Sequence, residues 1–113
     1  NFRARAAGVA NARILDNGIA VSVCEGNNIN SQVINAQVAD ELLTVKGVEA
    51  SFVAGKNENG RTVVSARSLG NINVQYVMEA FGGGGHMNTA GACVDESPEQ
   101  ILNDIEEFLK TSQ

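Results

Sequence analysis

The stretch Val48–Ser68, VEASFVAGKNENGRTVVSARS, holds two apolar runs on either side of Asn59-Gly60. Asn-Gly supplies the positive φ angles that a tight hairpin turn needs. Glu49–Ala54 and Arg61–Ser68 therefore read as antiparallel strands. The same device stands upstream, where Asp16-Asn17-Gly18 splits two shorter runs. In the second of these, Ile19, Val21 and Val23 alternate with Ala20, Ser22 and Cys24, the period of a strand.

Helical spacing fills the remaining segments. In Asn30–Gly47, NSQVINAQVADELLTVKG, Ile34, Val38 and Leu42 recur every fourth residue with Ala39 and Leu43 beside them. Gly47 reads as the stop of that helix. In Asn73–Gly82, NVQYVMEAFG, Asn73 is a cap, and Val74, Val77, Met78 and Phe81 form one face. Ala90–Val94 reads as a strand. Ser97–Lys110, SPEQILNDIEEFLK, opens with Ser97 as N-cap, Pro98 at the first turn and Gln100 three residues on, a capping box. Its buried face is Ile101, Ile105, Phe108 and Leu109. With a helical tail at Phe2–Ala7, the order is roughly (α)ββαββαβα. This is an α+β fold with one mixed sheet of about five strands and helices packed on it.

Length and composition agree with one globular domain over 1–113: 113 residues, 43% hydrophobic and 19% charged. The apolar runs are too short to cross a membrane. Because the chain starts at Asn1 rather than Met, a piece of a longer protein is expected. A net charge of −5 argues against broad binding of duplex nucleic acid but leaves room for one anion held by a few local groups. The two cysteines, Cys24 and Cys93, lie far apart in apolar surroundings and read as buried free thiols of a reducing cytoplasm. One histidine and two distant cysteines make no zinc-type cluster, so no metal ligands are expected here.

The chemistry concentrates in Gly82–His86. Four consecutive glycines are costly to order, and a plain turn needs one or two. Gly82 serves as the helix terminator. Gly83, Gly84 and Gly85 are expected to turn their amides toward an anion, with the imidazole of His86 beside them. Strand alternation places Val63, Ser65 and Arg67 on one face. An arginine among apolar residues asks for an anionic partner, and Arg67 is expected to share a pocket with His86. Ser65, Ser68, Asn88 and Thr89 are further polar candidates for the lining. Tyr76 and Phe2 are weaker candidates for base stacking. Asp95, Glu96 and Glu99 serve the last helix's dipole, and Arg3, Arg5 and Arg13 read as solvated. No nucleophile has a base beside it.

Val63–His86, VVSARSLGNINVQYVMEAFGGGGH, resembles the substrate-binding domain associated with DHH phosphoesterases. The shared pattern is S-x-R-S, a short amphipathic helix, and G-G-G-H. It looks most like the cyclic-di-AMP phosphodiesterases of Gram-positive bacteria. The resemblance implies the C-terminal, substrate-binding domain of a longer hydrolase. Arg67, Gly83, Gly84, Gly85 and His86 would hold a phosphate of cyclic-di-AMP, linear di-AMP or a short oligonucleotide. No catalytic residue is implied on this chain. Two manganese ions would sit in the partnering DHH domain and activate water. A cytoplasmic location follows, in a protein carrying membrane segments upstream, with no direct membrane contact by this domain. The alternatives are an oligoribonuclease or single-strand exonuclease branch, a non-enzymatic RNA-binding module like that of alanyl-tRNA synthetases, and a homodimerisation domain.

Overall fold

The computed structural model describes residues 2–27 and 30–111. The elements are α1 (Phe2–Ala10), β1 (Arg13–Ile14), β2 (Ile19–Asn27), α2 (Ser31–Leu42), β3 (Ala50–Lys56), β4 (Thr62–Ser68), α3 (Val74–Ala80), β5 (Gly84–Gly85), β6 (Thr89–Val94) and α4 (Pro98–Thr111). They form one six-stranded sheet in the order β1-β2-β3-β4-β6-β5. Only β2 and β3 run parallel, joined by the α2 crossover; the other neighbours are antiparallel. The mixed α+β class holds. The sixth strand is Gly84–Gly85, which the sequence presents as loop.

The central hairpin forms as read. Gly60 has φ +80°, and the Asn57 carboxamide oxygen accepts from the Asn59 and Arg61 amides to close the turn. Gly18, at φ +81°, turns β1 into β2. Helix α2 ends at Leu42, earlier than Gly47 implies. The Thr44 hydroxyl bonds to the Glu41 carbonyl, and Gly47 instead takes φ +92° in the loop. Ser97 caps α4 by accepting from the Gln100 amide at 3.1 Å. The reciprocal arm of the capping box is absent, because the Gln100 side chain donates to Asp104.

Helices cover both faces of the sheet. On one, α3 and α4 pack Val77, Met78, Ile101 and Ile105 over Ile19, Phe52, Val64 and Ala92. On the other, Ile34, Val38 and Leu42 of α2 cover Ala20 and Val53. Two buried polar anchors seat α2: Ser51 Oγ donates to the Ala39 carbonyl at 2.7 Å, and Asn35 Nδ2 to the Val63 carbonyl at 3.0 Å. Helix α2 sits over β3 and β4 and leaves β6 and β5 uncovered on its face, which opens a groove.

Candidate functional site

The groove encloses about 680 Å³. Its wall is Gln32 and Ala36 of α2, its floor β4 and β6, its lip Gly83–His86, and Asn57 stands at one end. Cross-strand register sets the floor in rows. Arg67 opposes Thr89, Ser65 opposes Gly91, and Val63 opposes Cys93. The rows continue onto β5, since Gly84 opposes Gly91 and His86 exchanges backbone hydrogen bonds with Thr89. Residues directly opposite on paired strands share a face. Arg67, Thr89 and His86 therefore form one polar row, ~10 Å across its backbone at the usual strand spacing.

The glycine run is built for three separate reasons. Gly82, at φ +84°, is the left-handed residue that ends α3. Its amide bonds to the Glu79 carbonyl and the Gly83 amide to the Met78 carbonyl at 2.8 Å, the Schellman pattern. Gly83 lies so close to β6 that a Cβ would collide with the Gly91 carbonyl and the Ala92 side chain. Gly85 has φ +142°, and a Cβ there would meet the Thr89 carbonyl at 2.5 Å. At Gly84 a Cβ would meet nothing within 4 Å, so nothing within the described chain requires a glycine there.

This corrects the expected cradle of three amides. The Gly83 amide is consumed by the helix cap, and the His86 amide bonds to the Thr89 carbonyl at 2.7 Å. In an antiparallel ladder, bonded and non-bonded pairs alternate. The bonded His86–Thr89 pair is followed by Gly85–Ala90, then by bonded Gly84–Gly91. Only the Gly85 amide is left on the open edge. The cap of α3 took the Gly83 amide, and pairing of β5 with β6 took those of Gly84 and His86.

Arg67 does share the groove with His86. Its side chain is 16% exposed, and it has the anionic partner expected of an arginine on this strand. Nε donates to Asp40 Oδ1 at 2.8 Å and Nη1 to the Ala66 carbonyl at 2.9 Å. Nη2 has no partner among the described residues. Asp40 was not legible as a site residue, since on α2 it reads as one more carboxylate of the wet face.

The remaining candidates divide. Ser65 is buried in the groove floor, and Thr89 is exposed within it. Ser68 and Asn88 lie outside the groove lining and hold the chain together. Ser68 Oγ accepts from the Gly70 amide, and Asn88 Nδ2 donates to the Ser68 carbonyl at 3.0 Å. Tyr76 packs against Phe108, with ring centroids 5.7 Å apart, beside the core on the other face. Asp95 pairs with Arg61, Arg5 with Glu41 and Arg13 with Glu106. Cys24 is half-buried, and burial pushes its thiol up to about 11. Cys93 is exposed in the groove, contrary to the buried reading, because no helix covers its face of β6.

Among the described residues, no group of three or more His, Cys, Asp and Glu stands together to hold a metal ion. No helix among them is long and apolar enough to cross a membrane.

Residues 16–112 match the DHHA1 domain. The chain is 42% identical, over 97% of its length, to the cyclic-di-AMP phosphodiesterase GdpP of Geobacillus thermodenitrificans. It is 36% identical, over 96% of its length, to the cyclic-di-AMP phosphodiesterase PdeA of Listeria monocytogenes. It spans 18% and 17% of those two relatives. In fold it is similar to an exopolyphosphatase-related protein from Bacteroides fragilis, with a TM-score of 0.84 at 19% identity over 97% of this chain and 34% of the other. A pGpG-specific phosphodiesterase, PggH from Vibrio cholerae, aligns with a TM-score of 0.64 at 12% identity over 98% and 37%. The motif, the fold and these matches converge: the chain belongs to the DHHA1 domain family, the domain that accompanies DHH-type phosphodiesterases.

Proposed function

We propose that the chain is the substrate-holding half of a manganese-dependent DHH-family phosphodiesterase that cleaves cyclic-di-AMP or its linear dinucleotide. The observation that carries this is the row Arg67–Thr89–His86 beside Gly84. Arg67 is held by Asp40 with Nη2 left over, His86 adds an imidazole, and Thr89 a hydroxyl. The bare Gly84 lets a phosphate come close to the lip, where the Gly85 amide is unspent. Charge-assisted donors of this kind favour a phosphate oxygen over water. The relatives named as cyclic-di-AMP phosphodiesterases support the substrate class.

In this reading the chain binds and orients. The manganese pair of the DHH half would supply the activated water, and among the described residues no set fits those ions. Arg67 and His86 fix the phosphate, Asp40 fixes Arg67, and the groove walls exclude water from one side. Calorimetric titration of the chain with linear diadenylate tests the binding role. His86→Ala and Arg67→Ala are each expected to weaken it about tenfold or more, with the fold retained. Equal affinity in both variants overturns the reading. Hydrolysis of cyclic-di-AMP by the chain alone with manganese overturns the division of labour.

A further inference from the structure

Resting on the phosphate grip just described, we propose that the other end of the groove is a base-recognition subsite that selects adenine over guanine. The floor changes character along its length. The polar row Arg67–Thr89–His86 gives way to the bare row Ser65–Gly91–Gly84, and that to the apolar pair Val63–Cys93. Successive rows are two residues apart, so the first and third lie ~13 Å apart at the usual strand rise. Phosphate, sugar and base demand this same sequence of surroundings: cationic donors, a close bare floor, then an apolar bed.

The apolar end is flanked by two carboxamides. Gln32, on the first turn of α2, lines the groove above Ala36 and makes no side-chain hydrogen bond to a described residue. It therefore offers a donor and an acceptor side by side. Asn57 has its oxygen committed to the Asn59 and Arg61 amides, so it is held in one orientation with only its NH2 to give. A glutamine carboxamide matches the N6 amino group and N7 of adenine. Guanine presents two acceptors, O6 and N7, on the same edge, and the Gln32 oxygen opposes O6.

The test is an NMR titration of the chain with 5′-phosphorylated diadenylate, 5′-phosphorylated diguanylate and inorganic phosphate. Wild type is expected to bind the diadenylate about tenfold tighter than the diguanylate. Gln32→Ala, a change at an exposed helix position, is expected to reduce that ratio to about threefold or less and leave phosphate affinity unchanged. Asn57→Asp keeps the turn-closing oxygen but replaces the NH2 that adenine N1 would accept from by an oxygen that guanine N1–H can donate to, and is expected to act in the same direction. If both variants keep the wild-type ratio while His86→Ala still weakens every ligand, the base subsite is wrong and the phosphate grip stands. If wild type saturates with none of the three ligands, the phosphate grip fails and this subsite with it.

Discussion

Asp40 on α2 and Arg67 on β4 face each other at 2.8 Å, the arginine 16% and the aspartate 65% exposed in their side chains. The pair ties the wall of the groove to its floor. It also fixes a guanidinium whose Nη2 is left without a partner among the described residues. An exposed ion pair adds little stability, but here one partner is nearly covered and cannot shed its charge.

Asp40→Ala is therefore expected to weaken nucleotide binding about three- to tenfold, less than Arg67→Ala does, because the guanidinium stays but loses its aim. Arg67→Lys is expected to resemble Arg67→Ala, since a point charge cannot reach Asp40 and the Ala66 carbonyl together. Titration calorimetry beside thermal melting separates this from simple unfolding.

Gly83→Ala and Gly84→Ala should part company. The first drives a methyl into the Gly91 carbonyl and Ala92, a cost of about 1–3 kcal/mol or more by overpacking. The second meets open space, and stability should stay within about 0.5 kcal/mol. Its effect is expected in nucleotide affinity alone. Urea denaturation and binding measured on the same two proteins distinguish these outcomes.

Phe52 is wholly buried between β2 and β4 in the core under α4. Phe52→Ala is expected to cost about 3–5 kcal/mol, seen as a lower urea midpoint at unchanged slope.

Cys24 gives a pH signature. Burial raises its thiol from about 9 to about 11, so the folded state holds a proton that the unfolded state releases first. The stability this provides is fully present below pH 9 and is lost as pH rises towards 11. Melting curves across that window are expected to decline more steeply for wild type than for Cys24→Ala. At pH 8 an alkylating reagent is expected to modify exposed Cys93 quickly and Cys24 only on unfolding.

Much of the fold could be read from local chemistry. Asn59-Gly60 dictates its hairpin, and Asn73 caps α3 by accepting from the Tyr76 amide. The apolar periods of α2, α3 and α4 are the buried faces. Arg67 and His86 line one groove, as their order along the chain implies. What escaped depends on distant partners. Two glycines have no strand propensity of their own, and Gly84–Gly85 becomes a strand only because β6 offers its edge. Asp40 becomes a site residue only once α2 crosses β4. Cys93 differs from its buried neighbours Ala92 and Val94 only in which face of β6 it occupies, and the sequence does not state how far α2 extends over that face.

Met78 ties the lip of the groove to the core. Its side chain is wholly buried in the core, while its carbonyl holds the Gly83 amide at the base of the lip. The lip is thus an outgrowth of the core and cannot swing without unseating α3. This half of the site is a fixed jaw. A ligand entering the groove therefore meets a lip already in its final place, with no ordering of Gly83 left to be done on binding.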